Sequence, residues 1–398
     1  MHPPLNQHYD VVLVGGGIIG SAVAYWLAAN DDFDGSIVVI EKDTSYTYGA
    51  TGRSVSSIRL QFSTPLNIQI ARFGVHFIKQ AGTYLRVDDD TPNLSFTEGG
   101  YLFLATSAQG REVLRQNHQI QREQGVEEVI MLHPHDLRQR FPWLNVRGVT
   151  GATLGVCNEG WFDAYLMLQA FKRKARRLGV HYLDDTVVDL AVAGNKVWKV
   201  VLKTGPAIGC GCVVNAAGAW AQQVAAMAGI DLPVFPRRRQ VFVFSCRTQL
   251  PKCPLVIDPD GFYFRPEGAQ YLCGMKPPPD QDPDGFNFAV DYDWFEERLW
   301  PRLTRWVPAF DAVKRQRAWA GHYAYNTFDR NALLGRHPAV DNLFFATGFS
   351  GHGVQQAPAV GRGLSELITY GGYRTLDLSA FSITRLIDNR PVLEQYVV

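Results

Sequence analysis

A chain of 398 residues exceeds what a single hydrophobic core usually organises, so two lobes are expected. Its 46% hydrophobic and 19% charged content is that of an ordinary globular protein and argues against disorder. Lys+Arg 39 against Asp+Glu 38 leaves a formal charge of +1 with no long basic run, so neither nucleic acid nor an anionic membrane is an expected partner.

Asp10-Val11-Val12-Leu13-Val14 is a β-branched run that stops at glycine, as a buried parallel strand does. Ile18 to Asn30 reads as a helix and Ser36 to Glu41 as a second buried strand, which makes a βαβ unit and calls for an α/β fold. The uncharged stretch Val11 to Ala29 is long enough to suggest a membrane span, but Gly15, Gly16, Gly17 and Gly20 break it into strand, turn and helix. It also lacks the flanks of a signal peptide, and Met1 to Gln7 is too short for a transit peptide, so the expected location is cytoplasmic.

Pro65 to Leu85 has a helical pattern, Gly99 to Thr106 is strand-like, and Gly110 to Gly125 is a charged amphipathic helix. Phe162 to Leu178 is a helix stopped by Gly179, with a strand at His181 to Leu183. Cys212 to Gly218 resembles a buried strand ending in a glycine turn. Val234 to Ser245, Gly261 to Arg265 and Gln270 to Met275 read as strands of a mainly antiparallel sheet. The prolines of 277–286 make that segment a loop, and Leu343 to Thr347 followed by Val354 to Ile368 is a last strand and helix. Six dispersed cysteines form no C-x-x-C pair, and no metal site is expected.

Gly15-x-Gly17-x-x-Gly20 carries the first functional signal, because a strand precedes it, a helix follows, and Glu41 closes the next strand. Gly15 permits the turn, Gly17 lets backbone approach a pyrophosphate, and Gly20 lets the helix pack on the strand. The helix N-terminus offers unpaired N–H groups and partial positive charge to that anion, and Glu41 can accept hydrogen bonds from a ribose. The fingerprint alone does not choose between NAD and FAD. Gly348-Phe349-Ser350-Gly351-His352-Gly353 lies between a strand and a helix near the other end of the chain. A second helix N-terminus there would stabilise the negative charge that reduction places at a flavin's pyrimidine edge.

Three stretches resemble the D-amino acid oxidase/sarcosine oxidase superfamily of FAD enzymes: ATGRSVSSIRLQFSTPLNIQ from Ala50, WAGHYAYNTFDRNALLGRHP from Trp319, and ATGFSGHGVQQAPAVGR from Ala346. Within that superfamily they look like a mitochondrial branch associated with assembly of a respiratory complex. The resemblance implies a Rossmann-like, discontinuous FAD-binding domain (8–87, 146–225 and 326–390) and a substrate domain with a mainly antiparallel sheet (88–145 and 226–325). It assigns Gly15, Gly17, Ile18, Ile19 and Gly20 to the dinucleotide, Glu41 and Lys42 to the adenosine ribose, and Val188 to the adenine. Thr51, Arg53, Ser54 and Ser57 would run along the pyrophosphate and flavin, supported by Ala216, Gly218 and Trp220, and Gly348, Gly351, His352, Gly353, Val354 and Gln355 would hold the pyrimidine edge. Where some relatives carry a flavin-linking histidine this chain has Arg53, and no cysteine lies near His322, so the FAD is expected to be non-covalent.

The chemistry implied by the resemblance is oxidation of an amine or amino acid, an N-alkyl or D-amino acid in type. A hydride passes from the carbon beside nitrogen to flavin N5, the imine is hydrolysed, and oxygen or another acceptor takes the electrons. A substrate carboxylate would favour arginine for its planar fork. Arg59, Arg265 and the triplet Arg237 to Arg239 are candidates, each also readable as a solvated strand end. Tyr263, Tyr323 and Tyr325 could wall the substrate, with Gln355 beside it, although aromatic packing is the commoner role of such residues. His322 and His352 are the catalytic histidine candidates, and Lys276 resembles a lysine that promotes reaction with oxygen to give hydrogen peroxide. The alternative is a flavin-containing assembly or scaffold protein with little catalysis.

Overall fold

The computed structural model describes residues 6–394. Strand His8–Val14 stands inside an eight-stranded sheet, paired in parallel with Ile37–Glu41 on one side and Ile208–Asn215 on the other. His181–Asp184 extends the first flank and Val340–Thr347 the second, both in parallel, and Leu333–His337 closes that edge antiparallel. All five parallel strands therefore end at one edge of the sheet, where open α/β sheets hold their ligands. A hairpin, Val187–Ala193 with Lys196–Leu202, joins the same sheet through Ile208–Asn215.

The uncharged stretch after the first strand is explained by burial on all sides. Helix Ile18–Ala28 buries every residue from Ile18 to Leu27. It packs against helix Gly353–Tyr370 so closely that a side chain at Gly361 would come within 2.8 Å of the Ala22 backbone. Among the described residues no helix is long and apolar enough to cross a membrane.

A second eight-stranded sheet runs in the order Val313–Asn326, Val234–Cys246, Gln270–Met275, Phe262–Glu267, Leu255–Ile257, Tyr101–Ala105, Gly151–Gly155, Val129–Leu132. Its pairings are antiparallel except Leu255–Ile257 with Tyr101–Ala105. Period-two alternation divides its side chains. Phe242, Phe244, Phe264 and Cys273 join the outer core, while Val241, Ile257, Tyr263 and Leu272 share the opposite face.

Two sequence readings change here. Gly151–Gly155, placed with the nucleotide unit by a boundary at 146, pairs with Tyr101–Ala105 and Val129–Leu132 in the second sheet. Its small side chains carry no mark of which sheet they join, so partner choice is tertiary. The 14-residue strand Val313–Asn326 carries no strand period in its first half, where Lys314 to Arg317 form a continuous exposed polar run at the sheet edge.

Candidate active site

The turn after the first strand builds one end of a cavity from backbone. Gly15 adopts φ +103°, and a Cβ there would lie 2.5 Å from the Ala216 carbonyl oxygen. Any side chain would thus push apart the turns that follow strands His8–Val14 and Ile208–Asn215. Gly20 sits behind, against the Gly15 carbonyl, and serves helix packing rather than the cavity wall. Gly17 caps helix Ile18–Ala28 and faces open space, with only Thr51 Oγ1 within 3.9 Å of its Cβ direction. The Ile18 N–H donates to that hydroxyl at 3.3 Å, which ties the segment after the second strand to the helix tip.

Glu41 closes the second strand with both carboxylate oxygens engaged, accepting from the Gly16 N–H at 2.8 Å and the Asp43 N–H at 2.9 Å. Burial raises its pKa, against the pull of those donors. Beside it Lys42 Nζ lies 3.2 Å over the Trp220 ring, and burial lowers its pKa to about 8. Arg53 is a bolt: Nε donates to the Thr47 carbonyl and Nη1 to Ala320, each at 2.6 Å.

The far end of the cavity is made of side chains. Arg59 is only 3% exposed; its backbone N–H donates to Gln355 Oε1 at 3.0 Å, and its Nη2 donates to His352 Nε2 at 3.3 Å. That contact needs an unprotonated Nε2. Burial and then the Arg59 charge accordingly hold the His352 pKa well below the usual imidazole value. His352 is the N-cap of helix Gly353–Tyr370, and a Cβ at Gly351, φ +100°, would lie 2.5 Å from the Tyr323 ring. Beneath Arg59 the buried Glu159 accepts from the Leu60 N–H at 2.5 Å, the Gln61 N–H at 3.0 Å and Gln61 Nε2 at 2.8 Å. Desolvation raises its pKa to about 7. Tyr101, Tyr263 and Tyr323 complete this end.

A model of the family described as FAD dependent oxidoreductase matches residues 10–367. The chain belongs to that family. FAD-dependent oxidoreductase domain-containing protein 1 of Xenopus laevis is 41% identical, over 100% of this chain and 86% of its own. Among solved structures, L-proline dehydrogenase from P. horikoshii superposes with TM-score 0.86 at 28% identity, over 98% of this chain and all of its own. Glycine oxidase from Geobacillus kaustophilus does so with TM-score 0.81 at 25% identity, over 96% and 99% of the two chains.

This FAD-dependent oxidoreductase presents a cradle that suits the cofactor: two helix N-termini border one cavity, and backbone glycines leave room for a pyrophosphate at Gly17. Ile18, Ile19, Ser54, Ser57, Ala216, Gly218, Gly353, Val354 and Gln355 also line it. None of the six cysteines does, and none is paired.

Several assigned residues stand off the wall or are otherwise engaged. Val188 is 45% exposed and Val187 lines the cavity instead, a one-residue slip that inverts the face of a strand. Gly348 makes the turn at φ +72° behind the wall. Arg265 is buried but committed, donating to Glu267 Oε2 at 2.6 Å and to the Val55 carbonyl at 2.8 Å, so it fastens the sheet to the flavin segment. Lys276 follows the last residue of its strand, exposed and absent from the cavity lining. His322 borders the cavity, yet its Nε2 accepts from the Asn287 N–H at 3.0 Å between Phe286 and Phe288. That makes it a clasp for the loop, with a pKa lowered to about 4 by burial and by Arg238 and Arg53.

Sequence reasoning missed Tyr101, Val241, Leu255 and Ile257 on the wall, and the support from Glu159. Strand alternation marked the face that Tyr263 shares with Val241, but only tertiary pairing aligned those strands over the cavity. Arg239, named within the triplet, lines the cavity while pairing bidentately with Asp282 at 2.7 and 2.9 Å.

Proposed function

We infer that this enzyme oxidises a secondary amine or amino acid at the carbon beside nitrogen, with the substrate carboxylate held by Arg59. The observation that carries the reading is a buried guanidinium beside a neutral His352 at the tip of the second helix, inside the cavity. A planar fork there can take a carboxylate bidentately and set the substrate's orientation. Likeness to L-proline dehydrogenase and glycine oxidase supports the same substrate class.

The substrate end of the wall holds tyrosines and arginines, and no carboxylate lines it among the described residues. An ammonium entering it is desolvated without an anionic partner, so the amine binds neutral and its lone pair is available. Tyr263, Tyr323 and Arg59 exclude water and orient the carbon. Bound FAD, held without a covalent link, would supply the two-electron acceptor for the hydride that leaves this carbon. The nitrogen lone pair closes the C=N bond, and water then hydrolyses the imine. Oxygen or another acceptor takes the electrons onward.

Anaerobic mixing of the holoenzyme with secondary amines and amino acids tests this. Bleaching of the flavin band is expected, fastest at alkaline pH where the free amine dominates. A flavin that stays oxidised across the whole set leaves the assembly or scaffold reading in its place.

A further inference from the structure

One row of side chains crosses the second sheet on its cavity face. Phe103 pairs with Ile257, Ile257 with Tyr263, Tyr263 with Gly274, Gly274 with Val241, and Val241 with Trp319. Gly274 leaves a gap filled by the Tyr263 ring, whose hydroxyl occupies the place a Cβ would take. The ring thus lies along the sheet, and Tyr263, Ile257, Val241 and Leu255 line the cavity together. Ile257, Val241 and Leu255 are each buried to 3% exposure or less, yet all border the cavity.

Two arginine forks border this wall. Arg59 lies over the Phe103 ring at 5.4 Å and beside His352. Arg239 lies over the Tyr323 ring at 5.2 Å, its fork matched by Asp282 of the loop that follows strand Gln270–Met275. A second carboxylate on a substrate would have to displace Asp282 from a bidentate, mostly buried ion pair.

We propose that the preferred substrate is an N-alkyl or cyclic secondary amino acid with a single carboxylate and a bulky apolar substituent, which packs on Val241, Leu255, Ile257 and the Tyr263 ring. The proposal rests on the reading above for its chemistry and adds the substituent. Apolar area removed from water supplies the discrimination, and each methylene seated in such a pocket is worth about tenfold or more in kcat/KM. A glycine-derived substrate leaves the wall wet, and the second group of a dicarboxylate meets an Arg239 fork already matched by Asp282.

The holoenzyme is mixed anaerobically with both enantiomers of N-methylleucine, N-methylphenylalanine and proline, and with sarcosine and iminodiacetate. Flavin reduction is read as the rate constant over Kd. At least tenfold preference for N-methylleucine or N-methylphenylalanine over sarcosine and iminodiacetate is expected. Sarcosine or iminodiacetate as the best reductant overturns the apolar-wall proposal and leaves amine oxidation standing. Absence of reduction by every compound overturns both. An independent measurement needs no turnover: 4-methylpentanoate and benzoate should perturb the oxidised flavin spectrum at tenfold or more lower concentration than acetate or malonate, and equal affinities overturn the proposal. Ile257→Ala and Leu255→Ala, checked for flavin content, should erase most of that preference, and a preference that survives in both overturns the proposal.

Discussion

The two ends of the cavity are built by opposite means. The nucleotide end is backbone: glycines at 15 and 17, one helix tip and one carboxylate that takes its own loop's N–H groups. The substrate end is side chain: Arg59, His352, three tyrosines and an aliphatic row drawn from strands far apart in sequence. Backbone geometry tolerates almost no substitution but says little about the substrate. Side-chain walls can change and keep the fold, so specificity resides there.

Gly15→Val should break the first end most completely. It places a branched side chain at φ +103° and 2.5 Å from the Ala216 carbonyl, so purified protein should lose nearly all flavin by its 450 nm absorbance. Arg59→Met tests the second end. It should cut the anaerobic reduction rate constant over Kd by about 30-fold or more for carboxylate substrates, since losing a charged partner costs roughly 2–5 kcal/mol. Flavin content should be retained, and an undiminished rate would remove Arg59 from the site.

Glu159 supports the segment that carries Arg59, and its raised pKa makes a sign-specific prediction. The folded state holds the proton up to about pH 7, against the ordinary carboxylate value of 4.5 for the unfolded chain. Stability from this group is therefore present below that ordinary value and lost as pH rises through about 7. Glu159→Gln should flatten the dependence, by up to about 3 kcal/mol across the window. Denaturant midpoints at pH 5 and pH 7.5 check it, and parallel slopes in the two proteins would refute it.

Asp282→Asn weakens the ion pair that closes the loop over Arg239. The expected loss is about 1–2 kcal/mol, confined to the loop, and faster proteolytic nicking between residues 277 and 290 should report it. Lys276→Met should do least. Its ammonium is off the wall, so reoxidation of reduced flavin by oxygen should keep its rate within about twofold, the scale of a surface substitution.

The sequence by itself determined the nucleotide end, because a strand, three spaced glycines, a helix and Glu41 are contiguous and their physics is local. Arg59 and His352 were legible as candidate residues for the same reason, each lying in a short segment with a marked pattern. Their contact was not, since 293 positions separate them. Only the tertiary structure decided that Arg265 binds a carbonyl and Glu267 instead of facing a substrate, and that Val187 rather than Val188 meets the cavity. A strand's alternation says that two faces exist, and cross-sheet register then decides which one is covered, by what, and toward which ligand.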